Sequence, residues 1–280
     1  MTDLFAVVGH PISHSLSPVM HNAVFEKLGL DCRYILRDIN PEELGNTIIK
    51  MRDEGYKGVN VTIPHKVRVI EHLDRLSKEA EVIGAVNTIK IDSELTGFNT
   101  DGVGALYALK NNGADPEGKR VLILGSGGAA RAISITLALR GGVKDLTILG
   151  QDAKELERLT VDIESGAKTI INGALFDEVS VKDEVAKTDI LIHATPVGMH
   201  PNSKSTILTA DELKHELVLM DIVYNPLETQ LIKEAKQARA KTIIGGVEMF
   251  VNQGAEALRI WLGIEPPIDF MKKTVLKELK

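Results

Sequence analysis

The chain has one cysteine, one tryptophan and an aromatic content of only 4%, and it contains no basic run. Each shortage removes a class of function. A lone thiol, Cys32, can form neither an internal disulfide nor a cysteine metal cluster, and within the strand-like run Cys32–Leu36 it reads as a buried structural group. With no basic stripe and few rings there is no phosphate-tracking surface and no base-stacking platform. The formal net charge of −6, from 39 acids against 33 bases, adds repulsion, so nucleic acid is not an expected partner. No apolar stretch approaches the roughly 18 residues of a membrane span, and the opening Met-Thr-Asp-Leu-Phe-Ala-Val-Val carries no basic leader. A cytoplasmic chain with no membrane partner is expected. Only His10 and His14 stand four apart, in a Pro- and Ser-containing loop rather than on a helix, so no metal is implied.

What is present is an ordinary globular composition, 44% apolar and 26% charged over 280 residues, which is too long for one small core and comfortable for two. There are no repeats and no low-complexity linker, so the domain boundary must come from the order of elements. The first hundred residues alternate: strand Leu4–Val8, a helix opened by Ser17-Pro18 and closed by Gly29, strand Arg33–Leu36 and helix Pro41–Glu54. Strand Gly58–Thr62, a helix opened by Pro64, strand Val86–Ile91 and a short strand Thr96–Asn99 follow. After a helical pattern beyond Asp101-Gly102, strands Arg120–Leu124, Asp145–Leu149, Lys168–Ile171, Asp189–His193 and Leu217–Asp221 alternate with helices, a parallel-sheet signature. The tail is helical over Gly246–Leu262 and Pro267–Leu279. The expected fold is α/β with two domains: residues 1–101, joined by the returning helices of 246–280, and a Rossmann-type domain over 102–245.

The run from Val121 to Arg131 spells a buried strand, a glycine turn and a helix start, G-x-G-x-x-A. Gly125 permits the tight turn and Gly127 allows close backbone approach to a pyrophosphate. Ser126, Gly128 and Ala129 complete the loop, and the small Ala130 lets helix and strand pack closely. Cofactor choice is read after the next strand, at Leu149-Gly150-Gln151-Asp152-Ala153-Lys154-Glu155. Asp152 suits either a ribose 2′-hydroxyl or the N-cap of the following helix, and Lys154 suits a phosphate.

Four clusters in the first domain hold more polar functionality than loops need. Ser15 and Ser17, at i and i+2 before a helix, can donate to a carboxylate with help from the dipole, although Ser17 before Pro18 is also a good N-cap. Asn60-Val-Thr62-Ile-Pro64-His65-Lys66 places a lysine just inside a Pro-initiated helix, where the dipole disfavours a cation, and an unfavourable placement suggests a use. Gly84-Ala-Val-Asn87-Thr88 and Gly97-Phe-Asn99-Thr100-Asp101-Gly102 are the others, with Asp101 opening the next helix. Taken alone, Lys66 reads as a solvated lysine and Asp101 as a cap.

Together these segments resemble the shikimate dehydrogenase family over nearly the whole chain. Its ordered motifs match at Ser15–Pro18, Asn60–Lys66, Gly84–Thr88, Asn99–Gly102, Gly125–Ala129, Ala194–Met199, Tyr224–Thr229 and Gln253-Gly254. The resemblance implies reversible, NADP-linked reduction of 3-dehydroshikimate to shikimate in aromatic amino acid biosynthesis. By it, Lys66 and Asp101 are catalytic, Ser15, Ser17 and Tyr224 hold the substrate carboxylate, and Asn60, Thr62, Asn87 and Gln253 bind ring hydroxyls with Asp101. The cofactor would meet Gly125, Ser126, Gly127, Gly128, Ala129, Gln151, Asp152, Lys154, Thr195, Ile222 and Gly246. A homodimer is left open. The chain departs from the family where NADP-dependent members carry Asn-Arg-Thr: here the positions read Gly150-Gln151-Asp152, so the arginine that would clamp a 2′-phosphate is missing and NAD or dual use stays open. Quinate remains a rival substrate, and a non-catalytic metabolite sensor a rival class.

Overall fold

The computed structural model describes residues 2–176, 179 and 181–279. It divides into two compact units, Met1–Thr100 with Val251–Lys280, and Asp101–Phe250. The first contains β1 (Asp3–Gly9), α1 (Ser17–Leu28), β2 (Cys32–Asp38), α2 (Leu44–Asp53), β3 (Tyr56–Val61), β4 (Arg75–Leu76), α3 (Lys78–Ile83), β5 (Thr88–Ile91) and β6 (Leu95–Phe98). The second contains α4 (Asp101–Asn111), β7 (Arg120–Leu124), α5 (Gly128–Arg140), β8 (Asp145–Gly150), α6 (Ala153–Gly166), β9 (Ile170–Leu175), α7 (Val181–Lys187), β10 (Ile190–His193), β11 (Val218–Asp221), α8 (Gln230–Gln237) and β12 (Thr242–Ile244). Helix α9 (Gly246–Leu262) begins in the second unit and ends in the first, where α10 (Ile268–Glu278) follows. Among the described residues no helix is long and apolar enough to cross a membrane.

In the first unit the sheet order is β2-β1-β3-β5-β6-β4, parallel from β2 to β3 and antiparallel through β5 and β6. The side chains of β1 alternate: Ala6 and Val8 enter one core with Leu44, Ile48 and Met51 of α2. Phe5 enters an aromatic group on the other face, its ring centroid 5.4 Å from Phe25 and 5.1 Å from Trp261. Gly58 makes room for Trp261, since a Cβ there would lie 2.3 Å from the indole nitrogen, which donates to the Ile89 carbonyl at 2.9 Å. Lys27 of α1 sits 4.7 Å from the centre of the Phe270 ring, so α1 and α10 are joined as well. Helix α1 ends at Gly29 in the left-handed region, the conformation glycine adopts without steric cost.

Three local readings differ from the sequence. No helix starts at Pro64: residues 62–67 form turns, and only a 3₁₀ segment, Arg68–His72, comes after them. The carbonyls a helix would need are used elsewhere, that of Ile63 accepting from His10 N–H and that of Lys66 from Val86 N–H. The dipole argument for Lys66 therefore falls away. Ser17 is not the cap of α1 either; the cap position is Leu16, with no side-chain cap bond, and Ser17 is buried. Cys32 is half-buried rather than buried, its thiol pushed up in pKa by desolvation and then by Asp3 and Asp31. Strand β4, helix α3 and strand β12 have no counterpart in the sequence reading, and two of the three are no longer than three residues.

The second sheet is parallel throughout, in the order β12-β11-β10-β7-β8-β9. Read from the other edge this is the 3-2-1-4-5-6 order of a dinucleotide-binding sheet, whose strand order reverses between β7 and β10.

His21 of α1 is fully buried and stacks on Tyr34 with ring centres 4.5 Å apart, and neither ring nitrogen has a hydrogen-bond partner. Desolvation lowers its pKa from 6.5 to about 3. The unfolded chain takes up a proton below about pH 6.5 that the folded chain refuses until about pH 3, so the associated stability is present above that window and is lost as pH falls through it. At about pH 5 the loss is roughly 2 kcal/mol. Urea unfolding at about pH 7.5 and pH 5 is expected to show this extra loss in the wild type and not in His21→Phe; equal losses in both would refute it.

Candidate active site

In the first unit, Lys66 stands in a turn tied down on four sides. Thr62 N–H donates to Val8 O at 2.9 Å, His10 N–H to Ile63 O at 3.0 Å and Val86 N–H to Lys66 O at 2.8 Å. The buried ring of His65, next to Lys66, donates through Nε2 to Ile39 O at 2.7 Å. A lysine on a four-carbon stem gains a defined origin from such a rigid turn. Lys66 and Thr62 are half-buried.

Behind this turn lies a buried network of neutral groups. Asn60, at the end of β3, gives one N–H to Asn87 O at 3.2 Å and another to Thr88 Oγ1 at 3.0 Å, while its Oδ1 accepts from the Tyr34 hydroxyl at 2.7 Å. Asn87 Oδ1 accepts from Thr100 N–H at 2.8 Å and from Thr88 Oγ1 at 2.9 Å. Thr100 Oγ1 also lies 3.2 Å from Asn87 Oδ1 and 3.5 Å from Gln253 Oε1 of α9. Burial pushes the Tyr34 phenol well above its ordinary pKa, against a smaller opposing effect of Ser17, so it stays a neutral donor. Ser15 Oγ accepts from Ser17 N–H at 3.3 Å at the mouth of α1. The fold thus gathers Asn60, Asn87 and Gln253 into connected positions from β3, the β5 approach and α9, while Ser17 is buried at the start of α1. Tyr34, Thr88 and Thr100 join them; the two threonines lie inside motifs the sequence displays, whereas nothing local marks Tyr34.

In the second unit Asp101 is the first residue of α4, buried where the helix dipole favours a carboxylate. Gly102 follows because α4 and α5 cross closely: a Cβ there would lie 2.1 Å from Thr136 Oγ1. The predicted cofactor residues all fall at the carboxyl ends of strands. Gly125 to Ala129 follow β7, Gln151, Asp152 and Lys154 follow β8, Thr195 follows β10, Ile222 follows β11 and Gly246 follows β12. Gly125 has φ of 120° and a Cβ on it would lie 2.8 Å from Ala194 O, so both conformation and space demand glycine. A Cβ at Gly127 or Gly128, at the start of α5, would meet nothing within 4 Å, so this stretch of backbone faces open space at a helix N-terminus, as a pyrophosphate cradle requires. Gly246 lies under the Ile222 carbonyl, 2.4 Å from where its Cβ would be. Tyr224 packs on Phe250 with centroids 5.1 Å apart, and desolvation raises its pKa.

Asp152 accepts from Lys154 N–H at 2.8 Å and from Glu155 N–H at 3.0 Å, which makes it the N-cap of α6. Glu155 in turn accepts from Ser126 Oγ at 3.3 Å, placing a carboxylate against the glycine turn. In this structure Asp152 serves as the cap through Oδ1. Asp152→Ala is expected to lower stability by about 1 kcal/mol, read from a denaturant midpoint, and to leave dinucleotide affinity unchanged. A selective loss of NAD affinity at unaltered stability would restore the ribose role.

A glycine turn at the switch point of a 3-2-1-4-5-6 sheet, with a separate unit carrying a fixed lysine and neutral polar groups, defines a two-unit dinucleotide-dependent oxidoreductase. Residues 7–89 match the family described as shikimate dehydrogenase substrate binding domain, and residues 246–276 match that described as shikimate 5′-dehydrogenase C-terminal domain. The chain is 44% identical to a shikimate dehydrogenase (NADP(+)) of Methanosarcina barkeri, with 100% of each chain covered. It is 42% identical to one of Methanopyrus kandleri, covering 100% of this chain and 97% of the other. The crystal structure of shikimate 5-dehydrogenase from Listeria monocytogenes in complex with shikimate and NAD superposes with a TM-score of 0.93 at 38% identity, covering 98% of this chain and 96% of that one. The chain belongs to the shikimate dehydrogenase family, enzymes that are NAD(P)-dependent oxidoreductases acting on a CH–OH group.

Proposed function

We propose that the chain interconverts 3-dehydroshikimate and shikimate with NADP(H), and that the neutral polar cluster beside the fixed Lys66 turn is the observation that carries this reading. A polyhydroxylated ring presents donors and acceptors on adjacent carbons, and amides and hydroxyls match both without a charge to desolvate. Asn87, Thr62, Gln253 and Asp101 take the ring hydroxyls. Asn60 is chiefly a support in this scheme, because both its N–H groups are spent on Asn87 and Thr88 and only Oδ1 can serve the ring. Ser15 and Ser17 at the mouth of α1 hold the carboxylate, aided by the helix dipole and Tyr224. The unit of residues 1–100 with 251–280 takes the substrate and that of residues 101–250 carries the nucleotide, so the boundaries lie one residue earlier and five residues later than the 1–101 and 102–245 expected from the sequence.

Bound NADPH supplies the hydride for reduction. Lys66 gives its proton to the carbonyl oxygen as the alcohol forms and takes it back in oxidation, and Asp101 is the second residue assigned to catalysis. The relatives named as NADP-dependent support NADP, and the glycine turn fits a dinucleotide. The segment Gly150-Gln151-Asp152 has no arginine for a 2′-phosphate, so discrimination against NAD should be modest.

Initial rates of shikimate and quinate oxidation, each with NADP and NAD, test the assignment. Shikimate with NADP is expected to be the best pair. Lys66→Ala is expected to lower kcat by roughly 10²–10⁴-fold with a small change in KM. Gln151→Arg should raise the NADP-to-NAD preference by on the order of tenfold through a charge-assisted contact. Tight shikimate binding without turnover in any pair would instead establish a metabolite sensor.

A further inference from the structure

The second unit contains a buried acid–imidazole–hydroxyl chain of which the assignments above use only the hydroxyl, Thr195. His193 closes β10 and Asp221 closes β11, and the two are cross-strand partners in the parallel register. They are 1% and 0% exposed. Asp221 Oδ1 accepts from His193 Nδ1 at 2.9 Å and from Val223 N–H at 3.0 Å, and Oδ2 accepts from Thr229 Oγ1 at 2.5 Å. Thr229 in turn caps α8 by accepting from Ile232 N–H at 3.2 Å. On its other side His193 Nε2 lies 2.5 Å from Thr195 Oγ1, which also accepts from Val197 N–H at 3.2 Å.

The proton positions follow from the donor and acceptor inventory. A carboxylate receiving three donors has only acceptors to offer, so Nδ1 of His193 carries a proton. In the neutral ring Nε2 is then an acceptor, and the Thr195 hydroxyl must donate to it. That commitment fixes the rotamer of Thr195 and directs its methyl towards the glycine turn, where Cγ2 lies 3.4 Å from the place of a Gly125 Cβ. Ala194, the preceding residue, is hydrogen-bonded through its N–H to Leu124 O at 2.8 Å, so the loop after β10 is fixed to β7 as well.

We propose that His193 and Asp221 are positioning residues for dinucleotide binding, acting through Thr195 to hold the loop after β10 against the glycine turn. The proposal rests on the assignment of Thr195 to the dinucleotide site. A chain of this kind works as a second layer behind a binding group: it touches no ligand, yet sets the orientation of the group that does.

The test uses the full chain and four proteins: wild type, His193→Asn, Thr195→Val and the double variant. Asparagine retains an N–H near the position of Nδ1 for Asp221 but cannot reach Thr195, while valine keeps the shape of threonine without its hydroxyl. NADPH affinity is read by fluorescence titration, shikimate affinity by calorimetry, and Val197 amide exchange in the ligand-free protein. Each single variant is expected to weaken NADPH binding by on the order of tenfold, the double no more than either single, with shikimate affinity within about twofold of wild type. Val197 exchange should accelerate in all three. NADPH affinity unchanged in His193→Asn or in Thr195→Val, additive losses in the double variant, or an equal loss of shikimate affinity would each overturn the proposal. Should His193→Asn fail to fold, Thr195→Val alone decides through its NADPH affinity and Val197 exchange. A wild type that binds no dinucleotide would refute the functional assignment instead, so the two failures are distinguishable.

Discussion

A buried amide oxygen organises the substrate unit. Asn87 Oδ1 is almost out of reach of water, and removing a polar group from water without replacing its hydrogen bonds costs on the order of 1–3 kcal/mol. The chain satisfies it with the Thr100 backbone N–H and the Thr88 hydroxyl, while the Asn87 carbonyl accepts from Val61 N–H and from Asn60. Meeting these demands brings the ends of β3 and β6 and the start of β5 to one point, and there the neutral groups assigned to the ring hydroxyls cluster. The Lys66 turn is held to the same place by its own carbonyl, through Val86. Satisfying the interior and building the site are here one requirement.

The nucleotide unit obeys a different constraint, the close approach of backbones at the carboxyl edge of a parallel sheet. Gly125 sits where a side chain would strike Ala194 O, and Gly246 where one would strike Ile222 O. Strands β7, β10, β11 and β12 can therefore end level with one another, and every predicted cofactor residue stands at that edge. The order of the strands places the crevice between the loops after β7 and β10.

Much of this was legible in the sequence. The glycine turn, the alternation of strands and helices and the returning tail all follow from local patterns of size and hydrophobicity, which survive folding because each is set by residues a few positions apart. The site motifs were visible as clusters of polar residues, and Thr88 and Thr100 lay within them. Where the reading failed, it failed for long-range reasons. The Pro64 signal for a helix was overridden because the carbonyls of Ile63 and Lys66 bond to His10 and Val86, partners tens of residues away. Ser17 had the look of a cap, but the helix takes it in as its first residue and buries it, leaving the cap position to Leu16.

The sequence alone determined the class of fold, the place of the dinucleotide turn and the residue types at the site, because those depend on steric allowance, periodicity and the chemistry each side chain carries. Tertiary structure alone decided which polar groups support and which are available: that Asn60 is occupied by Asn87 and Thr88, that Asp152 caps α6, and that His193 meets Asp221 across two strands. The reason is physical. A hydrogen bond is made with whatever group burial brings within about 3 Å, and a distance of that kind between residues far apart in the chain is written in the packing of the elements, not in either residue.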